Sequence, residues 1–323
     1  MAGNSKEIQR RIKSIKNTRK ITRAMEMVAA AKMKKEVARA LAGKAYAHSA
    51  WNVLTNLSRA FEKYRHGLLE MREVKKILVV LVTSNRGLCG AYNTQIIKKL
   101  MKQVKAPSLI KINRIGRRRV YSGVPDKELE FCFIAVGKKG FQYLHNRDFE
   151  VVAAFDEFDY VPTVDAIRPL AQIVINDYET KKYDKVVIAY TDYKNALTQE
   201  PKLRQLLPVS RIDIEKQIEE MGDAAGEGSQ NENDDEKSIG YKIEPGPREV
   251  VGSLLPRLVE MQLYHAILES NASRESVRMI AMKNATEAAN DMVNQLQYSY
   301  NQIRQMNITR EIAEITSGRI ALE

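Results

Sequence analysis

The sequence predicts an α/β protein in which a small open α/β domain is inserted between N- and C-terminal helices paired as a long antiparallel coiled coil. Three observations predict it. Neither Gly nor Pro interrupts residues 4–42, and the 61 residues 257–317 also lack both. Between these runs the apolar period changes from three-to-four residues to unbroken apolar stretches rich in β-branched residues. A helix of 61 residues spans about 90 Å, whereas a compact chain of 323 residues is only roughly 50 Å across. Such a helix must project, and pairing the two terminal helices is the economical arrangement.

The first helix is expected to start at an Asn4 or Ser5 cap and to run to about Met71. Ile8, Ile12, Ile15, Thr22, Met25 and Ala29 recur at helical spacing, and Val53, Leu54, Leu57, Phe61, Tyr64 and Leu68 continue the apolar face. Residues 77–82, Ile-Leu-Val-Val-Leu-Val, read as a strand buried on both faces. A helix over 91–104, strands over 131–136, 149–155 and 185–190, and helices over 139–146 and 164–180 complete a mostly parallel, Rossmann-like sheet. Residues 203–209 add an edge strand that is antiparallel. In the last helix Leu254, Leu258, Met261, His265 and Leu268, then Val277, Ala281, Ala285, Ala288, Met292, Ser299, Ile303 and Met306, mark the seam. The expected division is 1–74 N-terminal shaft helix, 75–212 α/β domain, 213–240 acidic flexible insertion and 241–323 C-terminal shaft helix. The Ala-rich seam suits close helix approach but makes a weak isolated pair, so the stalk is expected to need a sleeve or partner.

With 44% hydrophobic and 28% charged residues the chain has material for a sizeable soluble core. The net charge of +12 is unevenly spread: residues 1–76 carry +13, 77–212 carry +8, 213–237 carry −8 and 248–323 carry −1. No apolar run approaches a membrane span, and the opening residues lack the apolar core of a secretory signal. Cys89 and Cys132 form no CxxC pair, and His48, His66, His145 and His265 have no metal-ligand spacing. An intracellular, soluble chain without metal or cofactor is expected.

The turn over 83–93, Thr-Ser-Asn-Arg-Gly-Leu-Cys-Gly-Ala-Tyr-Asn, follows a strand and precedes a helix, where backbone N–H groups can bind phosphate. It fits neither the P-loop nor the dinucleotide fingerprint, so the structural reading, a tight polar turn, is preferred. Gly137-Lys-Lys-Gly140 reads likewise as a turn. Cys89 lies near Arg86 but is expected to be inert, and no histidine stands in a nucleophile signature. The basic helix (Lys6, Arg10, Arg11, Lys13, Lys16, Arg19, Lys20, Arg23, Lys32, Lys34, Lys35) allows a solvated face, nucleic-acid binding or an acidic protein partner. Its charges surround the helix without interleaved aromatic residues. Arg114, Arg117, Arg118 and Arg119 carry the same ambiguity.

Specific signals lie in the termini. Residues 12–33, Ile-Lys-Ser-Ile-Lys-Asn-Thr-Arg-Lys-Ile-Thr-Arg-Ala-Met-Glu-Met-Val-Ala-Ala-Ala-Lys-Met, closely resemble the opening helix of the γ subunit family of F-type ATP synthases. Residues 276–287, Ser-Val-Arg-Met-Ile-Ala-Met-Lys-Asn-Ala-Thr-Glu, and 300–318, Tyr-Asn-Gln-Ile-Arg-Gln-Met-Asn-Ile-Thr-Arg-Glu-Ile-Ala-Glu-Ile-Thr-Ser-Gly, agree. So do Ser84-Asn-Arg-Gly-Leu-Cys-Gly90, Ala196-Leu-Thr-Gln199 and Tyr241-Lys-Ile-Glu-Pro-Gly-Pro247. The likeness covers nearly all the chain except 107–128 and 215–237.

That resemblance implies a non-catalytic rotary shaft, one per complex, coupling transmembrane proton flow through a c-ring to ATP synthesis or hydrolysis at an α/β catalytic hexamer. Partners would be the α, β and ε subunits and the c-ring, with nucleotide and Mg bound by α and β. It implies β-subunit contacts for Lys20, Arg23, Met25, Lys32, Arg304 and Gln305, and coupling roles for Arg278, Lys283, Thr286 and Glu287. Ile315, Ile320, Ala321 and Leu322 would form an apolar bearing, and Tyr241, Glu244 and Pro245 a foot near the ring and ε. Coiled-coil packing is the plainer alternative for most of these. The absent transit segment and missing close cysteine pair point to a bacterial source, with the chain peripheral on the cytoplasmic face of the plasma membrane. The alternative is a basic coiled-coil nucleic-acid-binding protein.

Overall fold

A computed structural model describes residues 2–56, 66–107, 110, 112–115, 118–121, 125, 128–159, 162–209 and 246–320. It divides into two compact units, residues 32–277, and residues 1–31 with 278–323.

The first unit is built on a five-stranded sheet. Strands β1 (Lys76–Val82), β4 (Glu130–Val136), β5 (Val151–Phe155), β6 (Lys185–Tyr193) and β7 (Gln199–Leu207) lie in the order β5-β4-β1-β6-β7. The first four are parallel, with Ile77 opposite Phe131 on one side and Lys185 on the other; β7 is the antiparallel edge. Side chains alternate across a strand, so β1 serves two cores. Leu78, Val80 and Val82 meet Ile167, Leu170 and Val174 of α4 (Val164–Glu179) and Leu255, Val259 and Leu263 of α5 (Pro247–Ile320). Ile77, Val79 and Leu81 meet Ile96 and Leu100 of α2 (Tyr92–Lys105) and Leu144 of α3 (Lys138–His145). Helices on both faces make the sheet doubly wound, as the alternation of strand and helix patterns predicts. Local chemistry agrees: Thr163 caps α4 by accepting from the Ala166 N–H at 3.2 Å, and Pro247 opens α5, where its missing N–H costs nothing.

Two elements differ from expectation. A separate hairpin, β2 (Ile112–Ile115) and β3 (Arg118–Tyr121), pairs Arg114 with Arg119. Its charged residues hide the apolar alternation that would reveal strands. The N-terminal helix α1 spans Ala2–Asn56, and Gly67–Leu69 forms a separate 3-10 turn rather than continuing it to Met71. His66 caps that turn, Nδ1 accepting from the Leu68 N–H at 3.2 Å, and Leu68 is fully buried in the sheet core. Leu68 matches the helical spacing because burial requires an apolar residue whatever the element. Residues 57–65, the acidic insertion 213–240, and Tyr241, Glu244 and Pro245 lie outside the described residues.

In the second unit the early part of α1 pairs with residues 278–320 of α5. Gln9 Nε2 donates to the Tyr300 hydroxyl at 2.7 Å, Arg19 to Asn290 Oδ1 at 2.7 Å, and Thr286 Oγ1 to Thr22 Oγ1 at 2.8 Å. One number rises as the other falls, so the pair is antiparallel. On α1 the seam runs through Ile8, Ile12, Ile15, Thr22, Met25 and Ala29, all buried or half-buried as expected. On α5 it runs through Met282, Ala289 and Val293, with Ala288, Met292 and Met306 exposed, contrary to the spacing argument. Apolar residues occupy adjacent rows of this helix, so spacing alone left the register one residue ambiguous. Residues 308–319 are exposed on every side. No described helix is long and apolar enough to cross a membrane.

Candidate functional site

A doubly wound sheet presents its ligand crevice at the carboxyl ends of its parallel strands. Here those ends are tied to one another. Ser84 N–H donates to Asn93 Oδ1 at 3.0 Å, and Asn93 Nδ2 donates back to Ser84 Oγ at 2.7 Å. Asn85 donates to the Asp156 carbonyl at 2.5 Å and accepts from the Lys138 N–H at 2.8 Å, joining the ends of β1, β4 and β5. The amides that could cradle an anion at the start of α3 are all engaged. Gly137 donates to the Phe155 carbonyl, Lys139 to the Ser84 carbonyl and Gly140 to Thr83 Oγ1 at 2.7–3.0 Å. The Gly137–Gly140 motif is therefore a structural turn, and the 83–93 turn is held by the Ser84–Asn93 latch. The buried Cys89 Sγ accepts from Asn93 Nδ2 at 3.4 Å within the same latch.

The crevice between β1 and β6, where the strand order reverses, is filled by α5. Ser270 Oγ lies 2.6 Å from the Tyr92 hydroxyl, and Ser273 Oγ donates to the Thr191 carbonyl at 3.1 Å. Among the described residues no cluster of three His, Cys, Asp or Glu side chains could hold a metal.

Charges are buried around this helix. Glu36 of α1, 4% exposed, feels Arg39, Arg274, Glu275 and Lys32, and burial raises its carboxyl above the usual range. Asp192 is held by Lys202 at 2.7 Å and Lys194 at 3.4 Å. Burial, with the Asp192 carboxylate adding to it, pushes Glu269 up to about 7; Arg204, Lys202 and a Tyr190 hydrogen bond oppose the rise. From the ordinary carboxylate range up to about 7, the folded state binds more protons than the unfolded one. Stability therefore falls as pH rises through that window. Glu269→Gln is expected to flatten this fall and to gain on the order of 2 kcal/mol at pH 8, read by urea unfolding at pH 5 and 8. Equal gains at both pH values would contradict it.

The paired helices carry most of the sequence-predicted contacts. Lys20, Arg23, Thr286 and Glu287 line one groove together with Arg19, Ala24, Met27, Asn290 and Asp291. Arg23 is held by both oxygens of Glu26 at 2.9 Å. Thr286 Oγ1 also lies 2.8 Å from the Met282 carbonyl of its own helix, so its one proton is shared between two acceptors. Met25 is half-buried in the seam, and Arg278 is half-buried; Lys283, Arg304 and Gln305 are exposed. Lys32 belongs to the α/β unit, where its charge acts on Glu36. Ile315 is 73% exposed; the side chain of Ile320 and all of Ala321 and Leu322 lie outside the described residues. Large apolar side chains are unusually exposed along this pair: Ile21 61%, Met27 59%, Tyr298 73%, Met306 57% and Ile312 60%. Sequence reasoning named Arg19 only as part of the basic helix and missed Asn290 and Asp291, whose polar character is common to any solvated helix face.

A family model described as ATP synthase matches residues 4–322. The ATP synthase gamma chain of Polynucleobacter asymbioticus is 34% identical over 319 residues, covering 99% of both chains. The chain belongs to the ATP synthase γ-chain family. The γ chain of Legionella pneumophila is 32% identical over the full length of both. Among solved structures, a chain of the Euglena gracilis mitochondrial ATP synthase OSCP/F1/c-ring assembly matches with a TM-score of 0.62 at 20% identity, covering 100% of this chain and 95% of its own. That likeness shows a shared fold, terminal helices with an α/β domain between them in sequence. The nucleic-acid-binding alternative finds no support in family or relatives.

Proposed function

We propose that this γ-family chain is the rotary shaft of an F1 sector, coupling proton flow through a c-ring to ATP synthesis or hydrolysis at an α/β hexamer. The observation that carries the reading is the apolar surface of the helical pair, with residues 308–319 exposed on every side and bearing Ile308, Ile312 and Ile315. A lone helix with that surface needs a sleeve, and a bore formed by α and β subunits supplies one. A shaft acts by favouring different β conformations at different angles, which requires contacts of differing strength in each.

In this reading Lys20, Arg23, Met25 and Lys32 face acidic β elements, and Arg304 and Gln305 contact a β loop. Arg278, Lys283, Thr286 and Glu287 maintain coupling; the groove shared by Lys20, Arg23, Thr286 and Glu287 supports treating these as one surface. Ile315, Ile320, Ala321 and Leu322 form the apolar bearing, and Tyr241, Glu244 and Pro245 the foot at the c-ring and ε. Nucleotide and Mg are held by α and β, and this chain supplies no catalytic group. One copy serves each complex, peripheral to the cytoplasmic face of a bacterial plasma membrane. Reconstitution tests the proposal: α and β with this chain are expected to show ATPase activity at least tenfold above α and β alone. Equal activity with and without it would overturn the reading.

A further inference from the structure

All seven residues 270–276 of α5, Ser-Asn-Ala-Ser-Arg-Glu-Ser, are at most 3% exposed. A helix is ordinarily buried along one stripe; here it is enclosed on all sides, and by polar side chains. Their bonds run outward to separate parts of the α/β unit. Ser270 Oγ meets the Tyr92 hydroxyl at 2.6 Å and accepts from the Thr191 N–H at 3.4 Å. Asn271 Nδ2 donates to the Phe158 carbonyl at 2.9 Å, and Ser273 Oγ to the Thr191 carbonyl at 3.1 Å. Ser276 Oγ donates to the Ala196 carbonyl at 2.6 Å and accepts from Gln199 Nε2 at 3.2 Å.

Elsewhere on α5 the hydroxyls behave differently, apart from Thr286, which also reaches Thr22 of α1. Ser253, Ser299, Thr309 and Thr316 bond back to carbonyls three or four residues earlier in their own helix. That is the local default for serine and threonine in helices. Only where α5 crosses the sheet ends are Ser270, Ser273 and Ser276 turned outward. Successive residues project about 100° apart around the axis, so Ser270, Asn271, Ser273 and Ser276 leave the helix in four directions. An apolar contact surface tolerates rotation or sliding by exchanging similar contacts, but a hydrogen bond weakens steeply once its geometry is lost. Turning the helix by one residue would break the whole set at once.

We propose that Ser270, Asn271, Ser273 and Ser276 form a keyed joint that locks α5 to the α/β domain against rotation about its own axis, making them torque-transmitting positioning residues. The proposal rests on the rotary reading above. The joint ends two residues before the helix enters the other compact unit at Arg278, so torque on the α/β domain passes into the helix through it.

The test uses the complete membrane-bound synthase carrying this chain as Ser270→Ala/Ser273→Ala/Ser276→Ala, with Ser273→Thr, which keeps a hydroxyl, and Ser299→Ala as comparisons. ATP hydrolysis by the detached F1 sector is expected to stay within twofold of the unsubstituted complex. Protons pumped per ATP hydrolysed in membrane vesicles are expected to fall at least fivefold in the triple variant and to be retained in Ser273→Thr and Ser299→Ala. An unchanged pumping ratio in the triple variant overturns the joint, as does a parallel loss of hydrolysis and pumping, which marks a folding role alone. Omitting the chain separates the two readings: if pumping survives without it, the rotary reading itself fails.

Discussion

Replacing Arg274 with methionine is expected to destabilise the α/β unit by about 3–5 kcal/mol, because removing one partner leaves buried charge uncompensated. Arg274 is 3% exposed, and its Nε lies 3.2 Å from Glu275 Oε1, itself in a residue 2% exposed. Glu36 approaches from α1 and is 4% exposed. Its carboxyl is raised chiefly by burial; Arg39 and then Arg274 pull it down, while Glu275 pushes it up. Without Arg274, Glu36 keeps only Arg39 and Lys32 as compensating charges, and Glu275 loses the guanidinium beside it. Because the Glu36 carboxyl would rise further, the variant's folded state binds protons to a higher pH and its stability falls more steeply from pH 5 to 8. Urea unfolding followed by circular dichroism checks both points, and a second change, Glu275→Gln, should restore part of the loss. A loss below about 1 kcal/mol would be the value of an exposed pair and would contradict the buried-charge account.

Gly137→Ala should cost about 3 kcal/mol in the same assay. The residue has φ of 99°, a region that L side chains rarely adopt. An added Cβ would also meet the Thr83 carbonyl oxygen, which belongs to the backbone at the end of β1 and cannot swing aside. Strained dihedrals of this kind cost roughly 1–3 kcal/mol, and overpacking adds a similar amount. Gly140→Ala is the informative comparison. It lacks the positive φ, and its added Cβ meets side-chain atoms of Thr83 and Leu81 rather than backbone, so overpacking is present there without the dihedral strain. A smaller loss is expected there, and equal losses would show that backbone strain at Gly137 is not the cause.

The strands and helices of the sheet were legible because each buries one side in a fixed period. The stretch 77–82 is apolar throughout since both of its faces lie in cores. The hairpin at 112–121 was not legible, as its charged residues carry no period. The α1 half of the helical seam was readable, with Ile12 and Ala29 buried and their neighbours basic. The α5 half was readable only in part: Ala281, Ala285, Ser299 and Ile303 are half-buried as expected, but Ala288 and Ala289, or Met292 and Val293, are equally apolar and only the partner helix chooses between them. The roles of Lys20 and Arg23, and separately those of Thr286 and Glu287, came from motif resemblance, and it took the antiparallel register to place the four in one groove.

The positive charge of the first 76 residues, the two helical runs and the ordered family blocks belong to the sequence alone, since composition, period and motif are local properties. Tertiary structure decided how α5 is used. Leu255 to Ile267 serve the sheet core, residues 270–276 are enclosed by polar bonds, and residues from 308 onward stand exposed, all within one unbroken helix. Helical period records that a residue belongs to a helix, whereas the partner of each face depends on residues far away in sequence. A serine bonded to its own helix and a serine keyed into a sheet are the same letter.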